Sequence, residues 1–562
     1  MRELLLQKAH RAVRSKWTLL LVLLLAFYLR LAGLGAKSLW QDEIFTVAIA
    51  STENSVSEVV SIPLYNTALP APPLYFLITH FFLHIGDNDF LLRFPALLFG
   101  VLGVSITYAL GARLFGRGEG LVAAFLLAVS SLHVRYSQDA RFYSLLTLLS
   151  LLSLYFLYRA ISNNRSRWWI GFVACSVLSL YNHLFGLVVL LSQIVFIGGL
   201  WIRKLLMGRG HDPGRGRGIA QPQEVAGTFK LRDGLAFLSS LTSILLFYGP
   251  MSPHLLRGLL GRKGLGGGAT PGMTLTPSFL AQVLEAWGSG PGLALLVYVI
   301  PVVIGAVACA RNHRRQLWLA FCWLIVPFAA LIALPAKHGF RPRYVLFMLP
   351  LYLILVAKGL VAGNEVADRW LGKWGQRRGI CLALSLLVLA LVSFPALRVY
   401  YDEPRSDWKA VATLLERSFA AGEVIVSPGA FPQVVLPRYS DSLRDATFLI
   451  GDSELFLSSR GELREGFWFI GPGREKMNSI ERDLRGAMPL LFKVVFGVDA
   501  DGASRGIRLS IAPTMYSDLW VLYVRNGIDA VELIERYEQA LEVVSPPVAP
   551  SIHATLRDLH GE

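Results

Sequence analysis

Hydrophobic positions along this chain come in long runs broken by short charged clusters. A membrane crossing needs about twenty mostly apolar residues. Eleven runs are candidates, some of them short as drawn: Trp17–Leu34, Phe90–Ala112, Leu121–Val134, Phe142–Leu157, Trp168–Leu180, Phe185–Trp201, Leu235–Tyr248, Gly292–Ala310, Leu317–Leu334, Tyr344–Ala357 and Ile380–Leu397. Each predicts a transmembrane helix. The first run lacks a small-residue cleavage site and is followed by others, so it reads as a retained span rather than a signal peptide. The stretch "PPLYFLITHFFLHIG" (Pro72–Gly86) is also apolar, but it is short, opens on two prolines and carries His80 and His84. It predicts an interfacial helix.

The charges between runs test this reading. With eleven spans, alternate connections are "MRELLLQKAHRAVRSK", "RLFGRGEG", "YRAISNNRSR", "IRKLLMGRGHDPGRGRG", "ARNHRRQ" and "AKGLVAGNEVADRWLGKWGQRRG", all rich in Lys and Arg. The opposite set is mostly poor in them, apart from "PAKHGFRPR". Counting Pro72–Gly86 as a span would break this bias. The positive-inside rule therefore puts the N-terminus in the cytoplasm and the loops starting near Gly35, Arg135, Tyr181, Pro250 and Pro335 outside.

After Leu397 the pattern changes. "DEPRSDWKAVATLLERSFAAGEVIVSPG" predicts an amphipathic helix, a glycine turn and a buried strand, and "EGFWFIGPG", "LLFKVVFGV", "IRLSIAP" and "LWVLYVRNG" predict further strands. The expected fold is thus a polytopic α-helical membrane domain over residues 1–397, with a first outer loop at 35–89 bearing interfacial helices, followed by an exported α/β domain over 398–562. The tail "VVSPPVAPSIHATLRDLHGE" is expected to be loose. "GRGHDPGRGRGIAQPQ" reads as a basic cytoplasmic linker without the P-loop lysine pattern. "GRKGLGGGATPG" (Gly261–Gly272) reads equally as a mobile cover or a plain connector.

Composition agrees with the pattern. Of 562 residues, 54% are hydrophobic and 17% charged, below the roughly 25% charged of soluble domains. The net charge of +15 could point to nucleic acid, but it sits in the membrane loops, so no nucleic-acid partner is expected. Cys175, Cys309, Cys322 and Cys381 all lie in apolar runs without metal-ligand spacing, which predicts neither a disulfide framework nor a zinc site.

Most candidate chemistry falls in the outward loops. Asp42 and Glu43 follow the first span in "SLWQDEIFT", and Arg93 opens the second. "HVRYSQDARFY" supplies Arg135, Tyr136, Asp139 and Arg141, "YNHLFG" supplies His183, and "PAKHGFRPRY" supplies Lys337, His338, Arg341, Arg343 and Tyr344. A carboxylate with several cations on one face suits proton removal from an acceptor hydroxyl beside an anionic leaving group such as a phosphate. Each residue also has a plainer reading. Asp42 suits a helix start, His183 suits a membrane interface, and arginines near span ends snorkel to head groups. The "KHGFRPRY" run is harder to dismiss, because it sets positive charge on the side the rule leaves poor in it. Trp40 reads as an interfacial anchor.

"SLWQDEIFT", "PPLYFL", "LLRFPALLFGVLG", "YSQDARFYSLL" and "RPRYVLFMLPLYLIL", in that order, resemble the GT-C-type membrane glycosyltransferases, in the bacterial branch with the lipid A aminoarabinose transferase and the protein O-mannosyltransferases. The resemblance covers Trp17 to Leu360. It implies a sugar donor carried on a polyprenyl (undecaprenyl) phosphate and transfer with inversion to a glycan, lipid or protein acceptor, in the bacterial inner membrane. It implies Asp42 as general base with Glu43 beside it, and Asp139 as the second acidic residue. Arg93 matches the "R-x-P" arginine, and Tyr344 the tyrosine near the carrier phosphate. Relatives commonly carry His or Lys before the two prolines, whereas Ala71 stands here, so Lys337, Arg341 or Arg343 is expected to take over that contact. Arg141 joins these as a phosphate-binding candidate. No D-x-D metal motif is evident and no cofactor is required, although some GT-C enzymes use a divalent cation. Two other readings stand beside this one. A flippase of lipid-linked sugars should show internal repeats and mid-span polar residues. A non-catalytic envelope scaffold would use the exported domain to bind glycans.

Overall fold

The computed structural model describes residues 16–65, 71–163, 165–207, 231–254, 277–333, 341–370, 380–402, 408–419, 423–427, 430–450, 467–472, 490–496, 507–508 and 519–524. The basic linker from residue 208, the Gly-rich loop at 261–272, Lys337, His338 and the tail from residue 543 lie outside the described residues.

Helices come in the following order: α1 (Lys16–Leu31), α2 (Gln41–Ala50), α3 (Val56–Tyr65), α4 (Leu74–Leu83), α5 (Asp89–Leu114), α6 (Arg117–Val129), α7 (Ser131–Ser137), α8 (Tyr143–Asn163) and α9 (Ser166–Asn182). They continue with α10 (Phe185–Met207), α11 (Leu231–Tyr248), α12 (Pro277–Trp287), α13 (Leu293–Asn312) and α14 (Arg314–Ala333). A 3-10 turn (Pro342–Met348) leads into α15 (Leu349–Trp370) and then α16 (Ile380–Asp402). The C-terminal part carries α17 (Trp408–Ser418), β1 (Val424–Ser427), α18 (Phe431–Tyr439), β2 (Thr447–Ile450), β3 (Phe467–Pro472), β4 (Leu490–Phe496), β5 (Ile507–Arg508) and β6 (Leu519–Val524).

The chain forms two compact units. The first comprises Met1–Ala32, Thr52–Ile85 and Arg93–Tyr400; the second comprises Gly33–Ser51, Gly86–Leu92 and Tyr401–Glu562.

The first unit is a helical bundle whose sequence is apolar on nearly every face of its helices, as a membrane setting requires. Among the described residues seven helices are long and apolar enough to cross a membrane, or eight if the bent pair α6–α7 is one span. Pro72–Gly86 forms the ten-residue helix α4 and is not one of them. The spans containing α8 and α15 are 78% buried and form the centre, whereas α16 is 17% buried and lies at the periphery. Large side chains left uncovered, such as Leu246, Leu391 and Phe394, suit contact with lipid tails. Where helices cross closely the residues are small. A Cβ on Gly359 of α15 would run into the Pro301 carbonyl of α13, and one on Gly305 into the Leu355 carbonyl. Hydroxyls bridge helices elsewhere: Tyr298 of α13 and Ser393 of α16 lie at 2.9 Å, and Gln193 of α10 donates to Ser153 of α8 at 2.7 Å.

The Leu121–Val134 run, expected as one span, is bent. α6 ends at Val129 and α7 leaves it at 64°. Ser130 starts the new helix, its hydroxyl facing the His133 N–H at 3.5 Å. A break inside a bundle frees backbone carbonyls that lipid cannot satisfy. The residues that do so are described below.

The second unit holds a six-stranded mixed sheet of order β2-β1-β3-β6-β4-β5. β1 pairs in parallel with β2 and β3, β6 runs antiparallel to β3 and β4, and β4 pairs in parallel with β5. β2, "TFLI", had no strand expectation from its sequence.

Candidate functional site

One end of the first unit is organised by two side chains that satisfy helix ends: Arg30 of α1 that of α6, and Gln138, just past α7, that of α1. Arg30, on the last turn of α1, is fully buried. Its guanidinium donates to the carbonyls of Leu127 (3.2 Å) and Ala128 (3.1 Å), two of those freed by the α6–α7 break. It also reaches Nδ1 of His133 at 2.7 Å and Oγ of Ser137 at 3.3 Å. Gly100 of α5 makes the room, since a Cβ there would meet the Ser137 side chain and crowd the Arg30 Nε. In return Gln138, just past α7, donates to the carbonyls of Arg30 (2.9 Å) and Ala32 (2.7 Å), which end α1. The Tyr400 hydroxyl donates to the other side of the Gln138 amide at 2.6 Å. Five planar donors let one arginine hold the Leu127 and Ala128 carbonyls, His133 and Ser137 together, more partners than the three N–H groups of a lysine ammonium can supply.

This exchange fixes the 131–143 segment, which carries the next set of groups. Arg343, Asp139 and Arg135 all act electrostatically on the Tyr136 hydroxyl, and Arg343 lies within hydrogen-bonding reach of it. Asp139 and Arg343 are buried. Arg343 also stands over the rings of Tyr143 (5.9 Å) and Tyr344 (5.3 Å), and Arg135 over Tyr400 (5.2 Å). Beside them the rings of Phe142 and His183 stack at 4.2 Å, and Phe185 packs against both His183 and Tyr344.

His183, between α9 and α10, accepts the Phe185 N–H on Nδ1 at 3.1 Å. Burial, and then the nearby Arg141 guanidinium, push its imidazole down to about 3. The sign of the consequence follows from linkage. An unfolded chain protonates His183 near pH 6.5, while the folded chain refuses that proton until about 3. The contribution of His183 to stability is therefore complete above about pH 6.5 and is lost as pH falls toward 3. Thermal unfolding measured from about pH 7.5 down to about 4.5 should show His183→Phe losing less stability than the wild-type protein over this window. Parallel curves for the two proteins would contradict the assignment.

In the second unit the two adjacent carboxylates part company. Glu43 is fully buried, and its side chain reaches back to accept the Trp40 N–H at 3.4 Å, satisfying a donor at the start of α2. Asp42 is half-buried on the first turn of α2. Trp40 is itself buried with Leu39 and Ile44, so it is a core residue of this unit rather than the interfacial anchor expected from its type.

Of the other expected residues, Arg93 is buried on α5, Arg141 lies over the Phe142 ring at 4.9 Å, and Arg341 is the N-cap of the 3-10 turn. Asp139, Arg141, His183, Arg343 and Tyr344 thus gather at one end of the first unit. Lys337 lies outside the described residues. The sequence reading passed over Arg30, His133, Gln138 and Tyr143. The signal available for Arg30 was a lone arginine within an otherwise apolar run. Among the described residues no three His, Cys, Asp or Glu side chains gather as a metal-ligand set.

Three comparisons with known proteins bear on this arrangement. The family model for "Dolichyl-phosphate-mannose-protein mannosyltransferase" matches residues 70–206, the stretch that holds Arg93, Asp139, Arg141 and His183. A crystal structure of ArnT from Cupriavidus metallidurans in the apo state superposes with a TM-score of 0.56 at 14% identity, covering 90% of this chain and 97% of that one. ArnT from the same organism bound to undecaprenyl phosphate gives 0.56 at 12% identity, covering 91% and 98%. A search of curated proteins finds no match. The chain therefore resembles the GT-C-type membrane glycosyltransferases and shares their multi-pass fold.

Proposed function

From the premise of a GT-C-type fold, we propose that this protein transfers a sugar from a polyprenyl-phosphate carrier to an acceptor hydroxyl, with inversion at the anomeric carbon. The observation that carries the reading is the gathering of Arg343, Arg135, Asp139 and Tyr136 at one end of a bundle whose fold is that of an enzyme crystallised with undecaprenyl phosphate. Buried guanidinium groups beside aromatic rings suit a phosphate that must be stabilised as it departs.

A sugar phosphate is already activated, so the chain's own groups need only orient and exchange charge. The acceptor oxygen attacks the anomeric carbon while Asp42 takes its proton. The bond from that carbon to the phosphate oxygen breaks, and the electron pair leaves on the carrier phosphate. Arg343, Arg341, Arg141, Arg93 and Lys337 are the cations assigned to that charge, and Tyr344 the hydroxyl beside it. Asp139 orients the arginines around Tyr136. Glu43, tied up as the cap of α2, serves Asp42 by holding its helix.

The Lys/Arg bias of alternate loops supports eleven spans, a cytoplasmic N-terminus, reaction at the outer face and an exported α/β domain from residue 398 onward, and the sequence resemblance implies a bacterial inner membrane. The test uses the full-length protein in vesicles with a panel of labelled polyprenyl-phosphate sugars. Wild type should transfer label to acceptor. Arg343→Met should bind undecaprenyl phosphate about tenfold to a hundredfold more weakly, the effect of deleting one charge-assisted contact. Lipid movement across the bilayer without transfer from any donor would replace this reading with that of a flippase.

A further inference from the structure

The C-terminal part of the second unit touches the segment before Asp42 through a small set of hydrogen bonds and ion pairs. Asp89 is buried and receives three donors: Arg438 Nε at 3.0 Å, the Tyr439 hydroxyl at 2.9 Å and Lys409 Nζ at 3.3 Å. Arg438 also pairs with Asp87. Two of these donors reach on to the segment that precedes α2. Lys409 Nζ donates to the carbonyls of Gly35 (2.9 Å) and Ala36 (3.1 Å), and the Lys409 N–H donates to Ser38 Oγ at 3.2 Å. The Tyr439 hydroxyl accepts the Leu39 N–H at 3.1 Å while donating to Asp89. Four of the five residues from Gly35 to Leu39 are thus held by just two side chains and one backbone amide of α17 and α18. The second of these helices also packs on α2.

A cleft of about 380 Å³ opens beside Asp89, Lys409 and Arg438. Lys409 and Arg438 both pair with Asp89, and Arg438 also with Asp87, while Arg438 Nη2 is left without a partner; the ion pairs give the arrangement the form of a clamp. Asp42 lies three residues beyond Leu39, on the first turn of the helix this clamp starts. We propose that Lys409 and Tyr439 are positioning residues for Asp42. α17 and α18 hold residues 35–39, and this sets where the first turn of α2 begins and where its carboxylate stands. The proposal rests on the general-base reading of Asp42 and gives the C-terminal part a part in catalysis distinct from acceptor docking. A general base must lie within hydrogen-bond reach of the proton it takes, so a small drift of α2 lowers turnover without touching donor binding.

The experiment compares full-length wild type, Tyr439→Phe, Lys409→Ala and Lys409→Arg in lipid nanodiscs, by amide hydrogen exchange and by transfer kinetics. Tyr439→Phe and Lys409→Ala should speed exchange of the Leu39 amide and the first turn of α2 by about tenfold, as expected for loss of one net hydrogen bond. They should lower kcat by a similar factor, with donor KM and undecaprenyl-phosphate affinity unchanged, and Lys409→Arg should recover most of both. Unchanged exchange in Tyr439→Phe would overturn the clamp. Faster exchange with unchanged kcat would overturn the positioning role. Should Lys409→Ala fail to fold, Tyr439→Phe, which deletes one oxygen, decides alone. If wild type transfers nothing from any polyprenyl-phosphate sugar, the glycosyltransferase reading and the positioning role fail together, while the exchange data still decide whether the clamp exists.

Discussion

Asp42→Asn should lower kcat for sugar transfer by about 10²–10⁴-fold, the range for losing a positioned general base. Asparagine keeps the size and the hydrogen-bonding oxygen of the side chain but cannot take a proton at neutral pH. Folding should be nearly untouched, within about 0.5 kcal/mol, because Glu43 rather than Asp42 satisfies the Trp40 N–H that opens α2. The neighbouring residue should behave in the opposite way. Glu43→Ala leaves that donor without its acceptor and should destabilise the protein by about 0.5–2 kcal/mol. Glu43→Gln keeps an acceptor oxygen and should cost transfer less than about tenfold. Kinetics and thermal unfolding on the three variants separate a chemical role from a structural one for two adjacent carboxylates. Full transfer by Asp42→Asn would remove Asp42 from the mechanism.

Arg30→Met should be the most destabilising of the substitutions considered. It fills most of the same volume but leaves the Leu127 and Ala128 carbonyls without their donors at a helix break where lipid offers none. At about 1–3 kcal/mol for each buried group so orphaned, the loss is about 2–6 kcal/mol. Replacing a buried ion by an apolar side chain is often neutral when its partners go with it, but here the partners are backbone and cannot be removed. Arg30→Lys should recover only part, since one ammonium does not span both carbonyls, His133 and Ser137. Unfolding midpoints in detergent measure the stability. Proteolysis around residues 130–141 tests whether the α6–α7 break loosens first. A stable Arg30→Met protein with wild-type protection there would show that the carbonyls find other donors.

The two predictions mark different depths of legibility. Asp42, Asp139, Arg141, His183, Arg343 and Tyr344 were readable as candidates because charged and aromatic residues between apolar runs stand out in one dimension. The division of labour between Asp42 and Glu43 was not readable. Both are acidic residues at a helix start, and only the backbone geometry shows which one turns back to its own N-cap. Arg30 was hidden for a related reason: it sits within an apolar run, and its carbonyl partners lie about a hundred residues away. The break at Ser130 was marked in "LVAAFLLAVSSLHV" only by the paired serines, which suit a helix start but do not by themselves end an apolar run.

By itself the sequence determined the helical membrane class and the approximate positions of the apolar helices. It also pointed to the strands of β1, β3, β4, β5 and β6 and to most of the chemically capable side chains. These follow from composition and local periodicity, which act within a few residues. Only the tertiary structure decided that α6 and α7 are separate, that Arg30 ends α6 while Gln138 ends α1, and that the segment before α2 belongs with α17 and α18. Each of these rests on a backbone donor or acceptor paired with a side chain about a hundred to four hundred residues away. Every residue type carries the same N–H and C=O, apart from the N–H that proline lacks, so the sequence holds no mark of which ones need a distant partner.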